Sequence, residues 1–147
     1  MSTQTGGFTE QERAAMKERA AELKQEASRP RGGKKAAEEL DCLEKIAGMA
    51  DADRAVAERI HAIVTASAPD LVPKLWYGQP AYARKGKVVC FFRSGHDDGE
   101  RYSTFGFTPE AALDEDGGLW PTSYAVTGEL DDGAAKTIAA LVERAVS

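Results

Sequence analysis

Leu75-Trp76-Tyr77-Gly78-Gln79-Pro80-Ala81-Tyr82, then a turn at Lys85-Gly86, then Val88-Val89-Cys90-Phe91-Phe92 form the stretch on which the fold turns. Ten of the chain's eleven aromatic residues fall between Trp76 and Tyr124, so this third of the sequence carries the β-rich half of the molecule. Residues 81–84 and 87–93 read as two strands joined by a short hairpin through Lys85-Gly86. The second is apolar from Val88 to Phe92, the signature of a strand covered on both faces. After a polar loop over residues 94–100, residues 102–107 alternate, with Ser103, Phe105 and Phe107 on one side. Thr108-Pro109-Glu110 predicts a short helix, with Thr at the cap and Pro in the first turn, ending by the Asp114-Glu115-Asp116-Gly117-Gly118 run. A further strand is expected over residues 122–127.

The flanks are helical. Thr9 and Glu12 make a capping-box pattern for a helix over residues 9–27, whose stripe of Met16, Ala20, Leu23 and Ala27 contains only two large side chains. Such a helix buries little and reads as a peripheral arm. Ser28-Arg29-Pro30-Arg31-Gly32-Gly33-Lys34-Lys35 breaks it and reads as a basic linker. A second helix is expected from Lys35 to about Met49, burying Ala36, Leu40, Leu43, Ile46 and Ala47. Asp51-Ala52-Asp53 would cap a third over residues 54–67, burying Val56, Ile60, Ile63 and Val64, with His61 beside that stripe. Asp131 or Asp132 caps a final helix facing the core with Ala135, Ile138, Leu141, Val142 and Ala145. The expectation is an α+β fold: N-terminal helices, a small antiparallel sheet of about four strands and a closing C-terminal helix. Residues 1–35 form the arm and linker, and residues 36–147 the α+β domain.

The totals narrow the function classes. The 147 residues are 42% apolar and 29% charged, ordinary for a globular domain, and no apolar run approaches a membrane span. The polar start, Met1-Ser2-Thr3-Gln4-Thr5-Gly6-Gly7, lacks a signal peptide's apolar stretch, so the cytoplasm is the expected location. Net charge is −5, split as +3 over residues 1–35 and −8 over residues 36–147. The acidic body argues against nucleic acid as a partner and permits association with cations. Cys42 and Cys90 form no CxxC pair and read as reduced core residues.

The Trp76-Tyr77-Gly78-Gln79-Pro80-Ala81-Tyr82 segment resembles the Tyr-Gly-Met-Pro-x-aromatic signature of the YdhG-like family, domain-of-unknown-function group 1801. Gly86-Lys87-Val88-Val89-Cys90-Phe91-Phe92 is similar to that family's next strand. Arg101-Tyr102-Ser103-Thr104-Phe105-Gly106-Phe107 and Leu119-Trp120-Pro121-Thr122-Ser123-Tyr124 are similar to later blocks of one of its branches. Together the blocks span roughly residues 42–147. Gln79 stands where Met is common, and Thr104 near where many members carry a His. The resemblance implies a small α+β domain without an established enzymatic activity, in a family whose members are often labelled intracellular iron chaperones by functional likeness to frataxin.

Two candidate sites follow. His96, Asp97, Asp98 and Glu100 place one imidazole and three carboxylates within five residues, a donor set for weak binding of iron(II) or manganese, which a chaperone must release. Asp114, Glu115 and Asp116 would add to it if the loops converge; the plain alternative is a solvated acidic loop. The second candidate is an aromatic pocket of Trp76, Tyr77, Tyr82, Phe105, Trp120 and Tyr124, with Arg93 or Arg101 at its mouth to clamp a carboxylate or phosphate. It would make the protein a small-molecule or protein-interaction module; the alternative is that these rings are core. No catalytic constellation stands out, because Cys90 sits in the most apolar strand.

Overall fold

The computed structural model describes residues 9–28 and 33–147. Half of the basic linker, Arg29 to Gly32, lies outside them, as does the polar start of the chain. The fold is α+β: α1 (Glu10–Ser28), α2 (Lys34–Ala47), α3 (Asp51–Ser67), β1 (Val72–Trp76), β2 (Gln79–Arg84), β3 (Lys87–Arg93), β4 (Ser103–Phe107), β5 (Ser123–Val126) and α4 (Asp132–Ala145). The strands form one antiparallel meander in sequence order. Among the described residues there are five strands where about four were expected, the extra one being β1.

Two tight hairpins build the first half of the sheet. Tyr77 and Gly78 (φ 54° and 73°) join β1 to β2, and Lys85 and Gly86 (φ 53° and 79°) join β2 to β3. Both central residues at positive φ match the twist of a two-residue hairpin. The register sets Trp76 opposite Gln79, Ala81 opposite Phe91, and Phe91 opposite Gly106. Trp76, Phe91 and Arg93 therefore share one face. Tyr82, Cys90, Phe92, Phe105 and Phe107 share the other, where they pack with Cys42, Ile46, Val56, Ile60, Val64, Ile138 and Val142 into one hydrophobic core.

Several expectations need correction. The buried stripe of α2 is Glu38, Cys42 and Ile46, continuing to Met49, whereas Leu40 and Leu43 are 56% and 40% exposed. Cys42 and Ile46 sit in the same core as Tyr82, so α2 is turned with this stripe, and not its leucines, toward the sheet. The third helix starts at Asp51, its N-cap is Ala50, and no side chain caps it. The Asp53 carboxylate bonds a distant loop instead. After Thr108 there is a single turn and not a helix: the Thr108 hydroxyl donates to the Val88 carbonyl and accepts from the Glu110 amide. Tertiary bonds hold the segment beyond, from the Ala112 amide to the Ala145 carbonyl and from Arg144 to the Leu113 carbonyl.

Other features agree with expectation. The capping box at α1 is formed, with the Thr9 amide 2.8 Å from Glu12 and the Glu12 amide 3.0 Å from Thr9 Oγ1. Asp131 caps α4 by accepting from the Ala134 amide. Cys42 and Cys90 are free and buried. Among the described residues no helix is long and apolar enough to cross a membrane.

Candidate functional site

A cavity of about 910 Å³ opens at the end of the sheet where the β1–β2 turn meets the end of β3. Its walls come from the first half of α1, the C-terminal end of α2, the Trp76–Pro80 hairpin and the loop after β3. Each wall has a local cause. The hairpin projects Trp76 beside Phe91, with ring centroids 5.5 Å apart, and Tyr77 edge-on to Trp76 at 5.0 Å. The tip of the Phe91 ring reaches over Gly106, and a Cβ there would run into it. A glycine in β4 thus lets the Phe91 ring drop onto the sheet and leaves space above it.

The polar rim is tied together by long-range bonds. Arg93 pairs with the Asp98 carboxylate through Nε and lies 3.8 Å from Glu100. Asp53, in the first turn of α3, accepts from the Ser94 hydroxyl and from the His96 amide, the latter at 3.0 Å. Gln11 of α1 donates to the Asp98 carbonyl at 2.7 Å. At the hairpin, just outside the cleft's lining, Glu22 accepts from the Tyr77 and Gly78 amides at 3.1 and 2.9 Å. The arm is therefore latched at both ends by polar contacts.

The structure divides the sequence-derived pocket. Trp76, Tyr77 and Arg93 line the cleft. Tyr82 and Phe105 are fully buried in the core on the opposite face. Trp120 and Tyr124 pack against that core, Tyr124 edge-on to Phe107 at 6.3 Å. Arg101 stacks over its neighbour Tyr102 at 5.0 Å. Sequence reasoning missed Phe91 and the α1 residues. Alternation along β3 carries the signal for Phe91, since it falls on the side of Arg93. Nothing local in the sequence says where α1 docks.

In the acidic loop, Asp97 and Asp98 face the cleft while His96 is exposed. Arg93 occupies the space between Asp98 and Glu100, so a metal cation would compete with a guanidinium. Asp114, Glu115 and Asp116 are exposed, and no three His, Cys, Asp or Glu side chains gather to hold a metal ion among the described residues. Burial pushes the Cys42 and Cys90 thiols up to about 12, so neither supplies a thiolate near neutral pH.

Comparison with known proteins gives no support from outside the chain: no family model, no curated protein and no solved structure matches it.

Proposed function

We propose that the protein is a binding module for a small organic ligand, seated in the cleft between α1 and the β1–β2 hairpin. The observation that carries this reading is the pairing of two apolar rings, Trp76 and Phe91, with the Arg93 guanidinium at one cavity large enough for a metabolite. Such a surface offers an apolar platform and a few polar groups that fix orientation, the usual composition of a ligand pocket. A catalytic role has less behind it, because both thiols are buried and protonated and His61 faces Tyr82 rather than the cleft.

Weak iron(II) binding through His96, Asp97, Asp98 and Glu100, the role expected of an iron-chaperone-like protein, ranks second because Arg93 already engages two of the carboxylates. Trp fluorescence against a metabolite panel tests the cleft. A ligand should change Trp76 emission, and Trp76→Ala should abolish the response while Trp120→Ala retains it. A response that survives Trp76→Ala, or an anaerobic iron(II) titration lost in Asp97→Ala/Asp98→Ala, would move the function to the acidic loop.

A further inference from the structure

The hairpin at the cleft's rim holds an anion in this structure, and that anion is part of the chain. The β1–β2 ladder closes at the Trp76–Gln79 pair, so the N–H groups of Tyr77 and Gly78 have no partner strand. Both donate to the two oxygens of one carboxylate, that of Glu22, at 3.1 and 2.9 Å. The Glu22 side chain is only 11% exposed, and Arg19 lies 3.4 Å from it. Arg19 also sits over the Tyr77 ring at 5.9 Å. Two amides and a guanidinium converging on one carboxylate make a formed receptor for that group.

Apolar packing adds little to this tie. Met16 and Leu23, the two large apolar side chains of the α1 stripe, are 47% and 49% exposed. Glu22 therefore does more to hold α1 at this end than apolar packing does, and it can be exchanged for another carboxylate without breaking a core.

We propose that the Tyr77 and Gly78 amides are the carboxylate subsite of the cleft, filled in the free protein by Glu22 as an internal plug that a ligand's carboxylate displaces. This rests on the cleft being the ligand site. The ligand class is a monocarboxylate on a ring-sized apolar body, its carboxylate on the two amides and its body against Trp76 and Phe91. Charge favours a carboxylate over a phosphate. The Glu18 carboxyl lies so close to Gly78 that a Cβ there would run into it, and a dianion would meet that negative charge. A carboxylate replaces Glu22 charge for charge.

The test is a titration with phenylacetate followed in amide and indole resonances, in the intact protein and in Glu22→Ala. Removing the plug should tighten phenylacetate binding by about tenfold or more, as the binding-competent state becomes the dominant one. The largest shifts should fall on Tyr77 and Gly78. Glu22→Gln, which keeps the shape and loses the charge, should show a smaller gain in the same direction. Benzyl alcohol, the same ring without a carboxylate, should gain nothing, and inorganic phosphate should gain less than phenylacetate. Equal phenylacetate affinity with and without Glu22, shifts that bypass the two amides, or an equal gain for phosphate would overturn the proposal. If phenylacetate and benzyl alcohol both move the Trp76 indole resonance equally in all variants, the cleft reading stands and the plug falls. If neither moves it, the cleft reading falls with it.

Discussion

His61 joins α3 to the sheet through a single polar contact, its Nδ1 3.0 Å from the Tyr82 hydroxyl. Burial lowers its proton affinity below that of a free imidazole, whose ordinary value is 6.5. The unfolded chain then binds the proton more readily than the folded one. Stability is complete above about 6.5 and falls as the pH drops from there towards the folded-state value. Urea midpoints measured from pH 7.5 to 5.5 should decline, and His61→Gln should flatten that part of the decline. An unchanged slope in the variant would assign the titration to other groups. The thiols make a second prediction at this scale. Cys42 and Cys90 are fully buried, with burial raising both to about 12. Ellman's reagent at pH 8 should leave them unreacted in the native protein and titrate both in denaturant, whereas a fast native phase would show one thiol to be open to solvent.

The β1–β2 hairpin and the β3–β4 pair position the cleft, and they differ in how far the sequence discloses them. The Lys85-Gly86 turn is legible because alternating strands flank it. The Tyr77-Gly78 turn is not, because Tyr at positive φ is uncommon and because Pro73 and Pro80 demote the runs on either side. Pro73 is accommodated on β1 because that strand is an edge of the sheet. The face of α2 differs from the pattern for a related reason: Leu40 and Leu43 satisfy a helical apolar pattern, yet the stripe buried in the core with Tyr82 is Cys42, Ile46 and Met49. Asp53 looked like a cap and instead braces the loop after β3, a tie across 43 residues to His96 with no local signal. Fold class, the capping box and the final helix were readable because local chemistry decides them; which aromatics line a cleft depends on register. That dependence is testable at Gly106. Gly106→Ala should push Phe91 off the sheet, costing about 1–3 kcal/mol of stability and shifting Trp76 emission. Pairing it with Phe91→Leu should recover much of the loss, and a Gly106→Ala protein as stable as the parent would show that the ring has room to move.

At the scale of the molecule the cleft has one firm wall and one loose one. The sheet side belongs to a core that links α2, α3, all strands from β2 to β5 and α4, with Arg59 crossing from α3 to the Leu130 carbonyl and to Asp132 at 2.9 Å. The α1 side is tied by contacts that include those of Gln11 and Glu22 and the stacking of Arg19 on Tyr77. Hydrogen bonds contribute about 1 kcal/mol each and those to a charged group about 1.5–3 kcal/mol, so the arm should undock at lower cost than the body unfolds. A chain lacking residues 1–33 should keep a cooperative melt, with a midpoint lowered by roughly 5 °C or more if about 1–2 kcal/mol is lost from a domain of this size. Its Trp76 emission should move to the red as the α1 wall is removed. Hydrogen exchange in the intact protein separates the two walls without truncation: amides of α1 should exchange through a low-energy opening, while those of β3 exchange only through global unfolding. Equal protection in the two elements would bind α1 into the core and close the cleft to any ligand that needs the arm to move. Unequal protection, with α1 the first to open, is what a cleft guarded by a few polar contacts requires.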